Sequence, residues 1–312
     1  MKKISIIGTG VVDVLAGAVD EKIFSFDSTE MDYVKLSFGG DALNQSIVLS
    51  RLGKSVKWIS KLGDDDAGQQ ILNYAKKNGV DISGVKVQSH LATGVTVVLV
   101  DAKGERRFLT NPNSSLRKLS EEDILPHIDD MAEIVSFASL FISSMLDVPA
   151  MERIFRRIKS SGRTLALDMK YPARGERLEE LSGVLSNADY FFPNESELAA
   201  LANEEDIDKN ISALLNYGLK CAVVKRGGKG CIIATKNERH EIPAYPVEKV
   251  VDTTGAGDSF AAGFLWALSE GWQLEDCGKF ACAVASCSVE EVGAVAGVTS
   301  LEKAMQRYEV IR

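Results

Sequence analysis

Val251-Asp252-Thr253-Thr254-Gly255-Ala256-Gly257-Asp258-Ser259-Phe260 decides how the rest of the chain is read. Two glycines flank an alanine just before Asp258. The apolar residues Phe260, Phe264, Ala267 and Leu268 then recur at helical spacing, which predicts a glycine turn opening a helix. The first N–H groups of a helix have no intrahelical partner, and glycines let those donors approach a ligand's charged oxygens. The stretch therefore reads as an anion site that suits a phosphoryl group. Asp258 beside it is placed to accept a proton from an attacking hydroxyl, while the amides of Gly255, Ala256 and Gly257 stabilise charge developing on the transferred group. A plainer reading, a turn followed by a helix-capping carboxylate, stays open on these residues alone.

The whole run resembles the C-terminal Asp-Thr-x-Gly-Ala-Gly-Asp signature of the ribokinase-like (PfkB-type) carbohydrate kinases. Far upstream, Phe38-Gly39-Gly40-Asp41-Ala42-Leu43-Asn44-Gln45, running on to Arg51-Leu52-Gly53, resembles the same family's N-terminal Gly-Gly-x-x-x-Asn signature. Two separate motifs in the right order are far harder to meet by chance than one. The resemblance spans essentially the full chain. It implies a single kinase domain over residues 1–312 that moves the γ-phosphoryl of Mg-ATP to a primary hydroxyl of a small carbohydrate.

Composition agrees with a soluble globular α/β protein. The 312 residues suffice for one large domain with a small accessory element, and 45% hydrophobic residues supply a full core. Lys and Arg total 36 against 44 Asp and Glu, so no global basic field draws in nucleic acid or anionic membrane, and any phosphate site must be local. The opening apolar run breaks at Gly8-Thr9-Gly10, too short for a signal-peptide core, and no run approaches the roughly 18 residues of a membrane span. A cytoplasmic protein is expected. The five cysteines, at 221, 231, 277, 282 and 287, contain no Cys-x-x-Cys pair and read as buried thiols of a reducing compartment.

Along the chain, Ile4 to Ile7 reads as a first buried strand, and Asp13 follows it. The resemblance implies that Asp13 hydrogen-bonds sugar hydroxyls; a turn carboxylate is the plainer alternative. Residues 14–38 and 93–110 break the strand–helix rhythm. Tyr33 to Phe38 alternates like an exposed strand, and Val95 to Val100, a turn at Asp101-Ala102-Lys103-Gly104 and a return through Leu109 read as a hairpin. The two inserts are expected to pair into one small sheet. By resemblance this sheet is a lid over the sugar and a homodimer contact, its unpaired edges inviting a second copy. Arg107 and Asn113 are the lid-side candidates to reach the sugar, though each also reads as an ordinary surface residue.

Between the inserts, Gly39-Gly40 runs into a helix from Asp41 to about Leu52, with Asn44 one turn in from Asp41, so that Gly40, Asp41 and Asn44 gather at the helix mouth. Asp41 also reads as the N-cap. From Ser120 the pattern alternates helices with short strands at Leu140–Ser143, Thr164–Asp168, Tyr190–Phe192 and Cys221–Lys225. That predicts an α/β doubly wound, mostly parallel sheet flanked by helices, with ligands at the carboxyl ends of the strands. Asn194-Glu195-Ser196-Glu197 resembles the family's Asn-x-x-Glu element, implying a nucleotide-side Asn194 and a Glu197 that organises Mg²⁺ through water; a helix start with favourable acids is the alternative. Lys225-Arg226-Gly227-Gly228-Lys229-Gly230 is no Walker loop, yet the backbone at Gly228 and Gly230 is free to approach nucleotide phosphates. By resemblance Ala283 walls the adenine. Family members often bind a monovalent cation such as K⁺ through residues matching Asp252 and Thr254 and carbonyls near Ser288 and Gly293.

The sugar is less sharply indicated. Gly-Gly-Asp-x-Leu-Asn is similar to 2-keto-3-deoxygluconate kinases, and Gly39-Gly40 with Asn44-Gln45 is also similar to ribokinase. Val11 stands where ribokinases tend to place an asparagine, and Lys170 stands where fructokinases and keto-deoxygluconate kinases commonly have one. A neutral, fructose-like ketose is the first expectation. An acid sugar needs a cation facing the pocket, for which Arg107 is the lid candidate, and a nucleoside needs aromatic lid residues such as Phe108 and Phe38. A silent sugar- or nucleotide-binding regulator on the same fold is the alternative outside enzymology.

Overall fold

The computed structural model of the chain describes residues 3–102 and 105–311. In chain order its strands are β1 (Lys3–Ile7), β2 (Val11–Val19), β3 (Tyr33–Gly39), β4 (Ser55–Gly63), β5 (Asp81–Gln88), β6 (Val95–Asp101), β7 (Arg106–Thr110), β8 (Ile134–Leu140), β9 (Thr164–Met169), β10 (Tyr190–Phe191), β11 (Cys221–Lys225), β12 (Cys231–Ala234) and β13 (Arg239–Ile242). Among the described residues nine of them form one sheet, ordered β13-β12-β11-β10-β9-β8-β1-β4-β5. Every pairing from β5 across to β11 is parallel, and β12 and β13 extend one edge antiparallel.

The helices are α1 (Asp41–Arg51), α2 (Asp66–Lys77), α3 (Glu121–Ile124), α4 (Val148–Ser160), α5 (Ser182–Leu185), α6 (Glu195–Ala202), α7 (Ile207–Asn216), α8 (Ala256–Ser269), α9 (Leu274–Ser288) and α10 (Leu301–Ile311). They cover both faces, because the strands are apolar on both sides. Ile4, Ile6 and Val223 pack with α1, α8 and α9, while Ile7, Leu165, Leu167 and Val224 pack with α4, α6 and α7. Each such fully buried Leu, Ile or Phe contributes about 1.5–3 kcal/mol. The result is a doubly wound, mostly parallel sheet flanked by helices. Among the described residues no helix is long and apolar enough to cross a membrane.

A second, four-stranded sheet, ordered β3-β2-β6-β7, stands apart from the first. The two inserts pair as expected, but through an element the sequence reading left irregular. Residues 11–19 form β2, whose Val12, Val14 and Leu15 register simultaneously with β3 and β6. Its β character depends on having a neighbour on each side, which composition does not reveal. The turn expected at Asp101–Gly104 lies partly outside the described residues, at Lys103 and Gly104.

The strand expected at Leu140–Ser143 is instead Ile134–Leu140, and Phe141 already sits in the left-handed region at φ 69°. β8 is buried along its whole length, yet it carries Ser136 and Ser139, which weaken its apolar signal. Both serines are satisfied by partners distant in sequence: Ser136 Oγ donates to Gln45 Oε1 at 2.9 Å, and Ser139 Oγ accepts from the Thr9 amide at 3.1 Å.

Candidate active site

The site begins with two helices that start on glycine. α8 has Gly255 as its N-cap, at φ 72°, and a Cβ there would stand 2.3 Å from the Ala294 carbonyl oxygen. α1 has Gly40 as its N-cap, at φ 99°, where a Cβ would stand 2.6 Å from the Thr9 carbonyl oxygen. Only glycine fits either place. Having no side chain, neither cap bonds the helix's leading amides; the Leu43 amide of α1 donates to the Thr9 carbonyl at 3.3 Å and the Ala256 amide of α8 to the Thr253 carbonyl at 3.2 Å, while the Gly257 amide has no such partner among the described residues. Asp41 is accordingly not the cap of α1; it is the first helical residue, and its carboxylate turns to Lys170.

The two helix starts converge. Asn44 of α1 donates from Nδ2 to Asp258 Oδ2 of α8 at 2.7 Å, which aims the carboxylate, while the Asn44 amide oxygen is buried without a partner among the described residues. Asp258 is buried. Burial first, and then the neighbouring carboxylates Asp41 and Asp168, push its pKa up to about 7, against the opposing pull of Lys170. An aspartate with that pKa is tuned to exchange a proton near neutral pH.

Lys170, just past β9, places Nζ 2.9 Å from Asp41 Oδ1. Asp41 beside it, with help from Asp258 and Asp168, holds Lys170 protonated well above its ordinary range. Asp13 on β2 completes the acidic wall. Burial and Asp41 raise it to about 6, and Gly39 leaves it room, since a Cβ there would come within 2.7 Å of its carboxylate oxygen.

Next to this cluster lies a second buried ion pair. Lys225, at the end of β11, donates to Asp168 Oδ1 at 2.8 Å, and Gln45 donates to Asp168 Oδ2 at 3.2 Å. Burial lifts Asp168 to about 6 in spite of Lys225. The same burial would lower Lys225, but Asp168 and Glu197 outweigh it and keep the ammonium charged. Lys225 Nζ would stand 3.4 Å from a Cβ on Gly257, so this cation borders the α8 glycine turn.

Asn194 and Glu197 are joined in a capping box at the start of α6: the Asn194 side chain accepts from the Glu197 amide at 2.8 Å, and Glu197 Oε2 accepts from the Asn194 amide at 2.9 Å. Gly228 is exposed in open space, whereas Gly230, at φ 89°, is held by packing, because a Cβ would meet the Ile242 carbonyl oxygen at 1.9 Å.

Several expected residues lie elsewhere. Arg107 is exposed, bonds to the Arg106 carbonyl and pairs with Glu105; it lines a groove of about 470 Å³ with Val19, Ile23, Phe24 and Leu99 that takes no residue from α1 or α8. Asn113 is exposed in a turn closed by Asn111. Ala283 is fully buried in the core and offers no surface to a nucleotide. Phe38 stacks on Tyr74, with ring centroids 4.9 Å apart.

Of the four residues expected around a monovalent cation, Asp252 and Thr254 are bound by the Arg106 guanidinium, the Gly293 amide donates to Asp252 at 3.0 Å, and the Ser288 hydroxyl bonds back to Ala285. Arg106 and Lys170 face the site as cations that the sequence gives no role there. The alternation of β7 restricts one of Arg106 and Arg107 to each face, but it does not say which.

A buried carboxylate at an uncapped glycine turn, above the strand ends of a doubly wound sheet, defines a phosphotransferase of the ribokinase type. The chain belongs to the pfkB family of carbohydrate kinases, whose family model matches residues 1–301. It is 31% identical over 256 residues to a probable fructokinase-5 of Arabidopsis thaliana, covering 79% of this chain and 78% of that protein. It is 28% identical over 312 residues to a 2-dehydro-3-deoxygluconokinase of Escherichia coli, covering 94% and 97%. Among solved structures, an E. coli chain described as "a putative Ribokinase II in complex with ATP and Mg+2" superposes with a TM-score of 0.83 at 25% identity, covering 99% of this chain and 100% of that one.

Proposed function

We propose that the protein transfers the γ-phosphoryl of Mg-ATP to a primary hydroxyl of a small neutral sugar, a fructose-like ketose first, as a single kinase unit with the four-stranded sheet as its lid. The observation that carries this reading is Asp258 at the third position of a helix that begins on glycine. Its carboxylate takes the proton of the attacking hydroxyl, and the amides of Gly255 and Gly257, with that of Ala256 once it turns from the Thr253 carbonyl, receive the charge that develops on the phosphoryl oxygens. Asn44 holds the carboxylate still, and its unpaired amide oxygen suits a sugar hydroxyl as donor. Asp13 and Asp41 offer acceptors for further hydroxyls.

The residues fit ATP and Mg²⁺. Lys225 supplies a fixed cation beside the Gly257 amide, and the exposed Gly228 turn lets backbone approach phosphates. Glu197, whose charge is felt by both Asp168 and Lys225 and whose Oε2 is taken by the Asn194 amide, would hold the water shell of Mg²⁺ through its other oxygen. When bound, Mg²⁺ neutralises phosphate charge during transfer. A cytoplasmic setting is supported by the five cysteines, all buried and free.

A neutral acceptor is supported by charge. Lys170 is committed to Asp41, and Asp13, Asp41 and Asp258 outnumber it around the acceptor end, so an added carboxylate meets net repulsion. A keto-deoxy sugar acid is the second reading, favoured by the presence of Lys170 at that place, and it requires the lysine to leave Asp41. Of the two aromatic residues expected to hold a nucleoside base, Phe38 is engaged with Tyr74 and Phe108 is exposed on the lid. A second copy docking on the lid is supported by a cross-strand apolar row, Leu36–Val14–Val97–Leu109, whose outer members are 64% and 54% exposed.

The test is ADP release from Mg-ATP over a panel of ketoses, aldoses, keto-deoxy sugar acids and nucleosides, with Asp258→Asn as control. A ketose raising the rate well above background supports the first reading. A response to the sugar acid alone replaces it with the second.

A further inference from the structure

Arg106 lies on β7, in the small sheet, yet its guanidinium leaves that sheet and closes on the segment just ahead of the α8 glycine turn. Nη2 donates to Asp252 Oδ1 at 2.7 Å and Nη1 donates to the Thr254 hydroxyl. Asp252 is almost fully enclosed, with its side chain 6% exposed. Its Oδ1 also accepts from the Thr254 amide at 2.9 Å and the Thr254 hydroxyl at 2.7 Å, and its Oδ2 accepts from the Gly293 amide at 3.0 Å. Burial would raise the Asp252 carboxyl, but these donors, the guanidinium foremost, hold it down to about 2. A buried carboxylate so bound needs a permanent counter-charge, and here a side chain provides it.

The two side chains that would ligate a monovalent ion, Asp252 and Thr254, are thus already engaged by a cation, so the ion that the family resemblance implies does not fit alongside Arg106. The carboxylate's oxygens face donors, and an Arg guanidinium carries a fixed charge in a planar fork that spans a carboxylate and a neighbouring hydroxyl at once. Because Thr254 adjoins Gly255, whatever holds Thr254 also holds the first donor of the glycine turn. Because Arg106 belongs to β7, that hold is tied to the lid.

We propose that Arg106 is a positioning residue that takes the place of the monovalent cation, locking the Asp252–Thr254 turn so that the Gly255–Gly257 amides are in register when the small sheet is closed. This rests on the kinase reading above for its catalytic consequence only. The structural consequence, that the turn is ordered by an internal cation and not by K⁺, stands on the contacts themselves.

Two measurements separate these. In melting experiments without nucleotide or sugar, the wild type is expected to melt within about one degree in KCl and in tetramethylammonium chloride at equal ionic strength. Arg106→Ala is expected to melt lower in tetramethylammonium and to recover in KCl or methylguanidinium chloride, and Arg106→Lys to fall between. In turnover with whichever panel sugar is active, the wild type is expected to vary less than twofold between the two salts. Arg106→Ala is expected to lose tenfold or more in kcat without K⁺, with a smaller change in KM, and to regain part of it with K⁺ or methylguanidinium. A wild type that needs K⁺ for melting stability or rate, or an Arg106→Ala variant indistinguishable from it in both salts, overturns the proposal. Silence across the sugar panel overturns the substrate assignment and leaves the melting arm to decide the role of Arg106.

Discussion

α6 and α8 begin alike and end up with opposite fates. Each has an acid at its third position, Glu197 in one and Asp258 in the other. In α6 that acid folds back onto the Asn194 amide while the Asn194 side chain takes the Glu197 amide, so the helix start satisfies itself. In α8 the cap is a glycine with nothing to offer, and the acid is drawn off by Asn44 from another helix. A side chain at the cap position therefore decides whether the acid and the amide of a helix start satisfy one another or are left to partners from elsewhere in the chain. α1 repeats the second pattern, and the two uncapped helices meet.

The largest effect is expected at Asp258. Asp258→Asn is expected to lower kcat by about 10³-fold with the fold intact, because a general base contributes on the order of 10²–10⁴. The same change should stabilise the unliganded protein. The folded carboxyl titrates near 7 and the unfolded one near 3.8, so folded protein holds the extra proton between them, and stability falls as pH rises through that window. At pH 8 the variant, which has no charge to bury, is expected to exceed the wild type by on the order of 2–4 kcal/mol, and at pH 4 by almost nothing. Melting curves at the two pH values check both sign and window.

Gly255→Ala attacks the glycine start itself. The new Cβ would press on the Ala294 carbonyl in a left-handed backbone, which costs about 1–3 kcal/mol. A 10–100-fold loss of kcat with a lowered melting temperature is expected from the displaced amides, roughly the weight of one misplaced oxyanion donor. An unchanged kcat would mean that these amides do not touch the reacting group.

The pH profile sharpens the contrast further. If Asp258 is the base, turnover should rise about tenfold per pH unit below 7 and level off above it, since a carboxyl accepts a proton only when ionised. A profile flat from pH 5 to 8 would remove Asp258 from the role of base. The smallest effect belongs to α6: Asn194→Ala loses a cap and about 1 kcal/mol of stability, with a weaker hold on ATP and far more residual kcat than Asp258→Asn.

The two glycine motifs were legible because their meaning is local. A glycine in a left-handed turn followed by apolar residues at helical spacing announces a helix start wherever it falls, and Gly40 and Gly255 each open a helix as read. β8 was displaced by six residues at its start because its buried serines are satisfied across the molecule, by Gln45 and Thr9, and so blur the apolar signal that marks a strand. Arg106 and Arg107 show the same limit at the scale of one residue. The alternation of a strand puts them on opposite faces, but only pairing with β6 decides that Arg106 turns toward Asp252 and Arg107 toward the outer groove.

By itself, then, the sequence determined what depends on neighbours along the chain: the alternating strands and helices, the two glycine starts, and the carboxylate beside the second. What only the tertiary structure decided are the pairings between polar and charged groups far apart in sequence. Asn44 with Asp258, Lys170 with Asp41, Lys225 with Asp168 and Arg106 with Asp252 each join elements separated by tens to hundreds of residues. Their partners are chosen by the geometry of buried, low-dielectric space, where a charge must find a counter-ion or a hydrogen-bond donor, and no one-dimensional pattern records that choice.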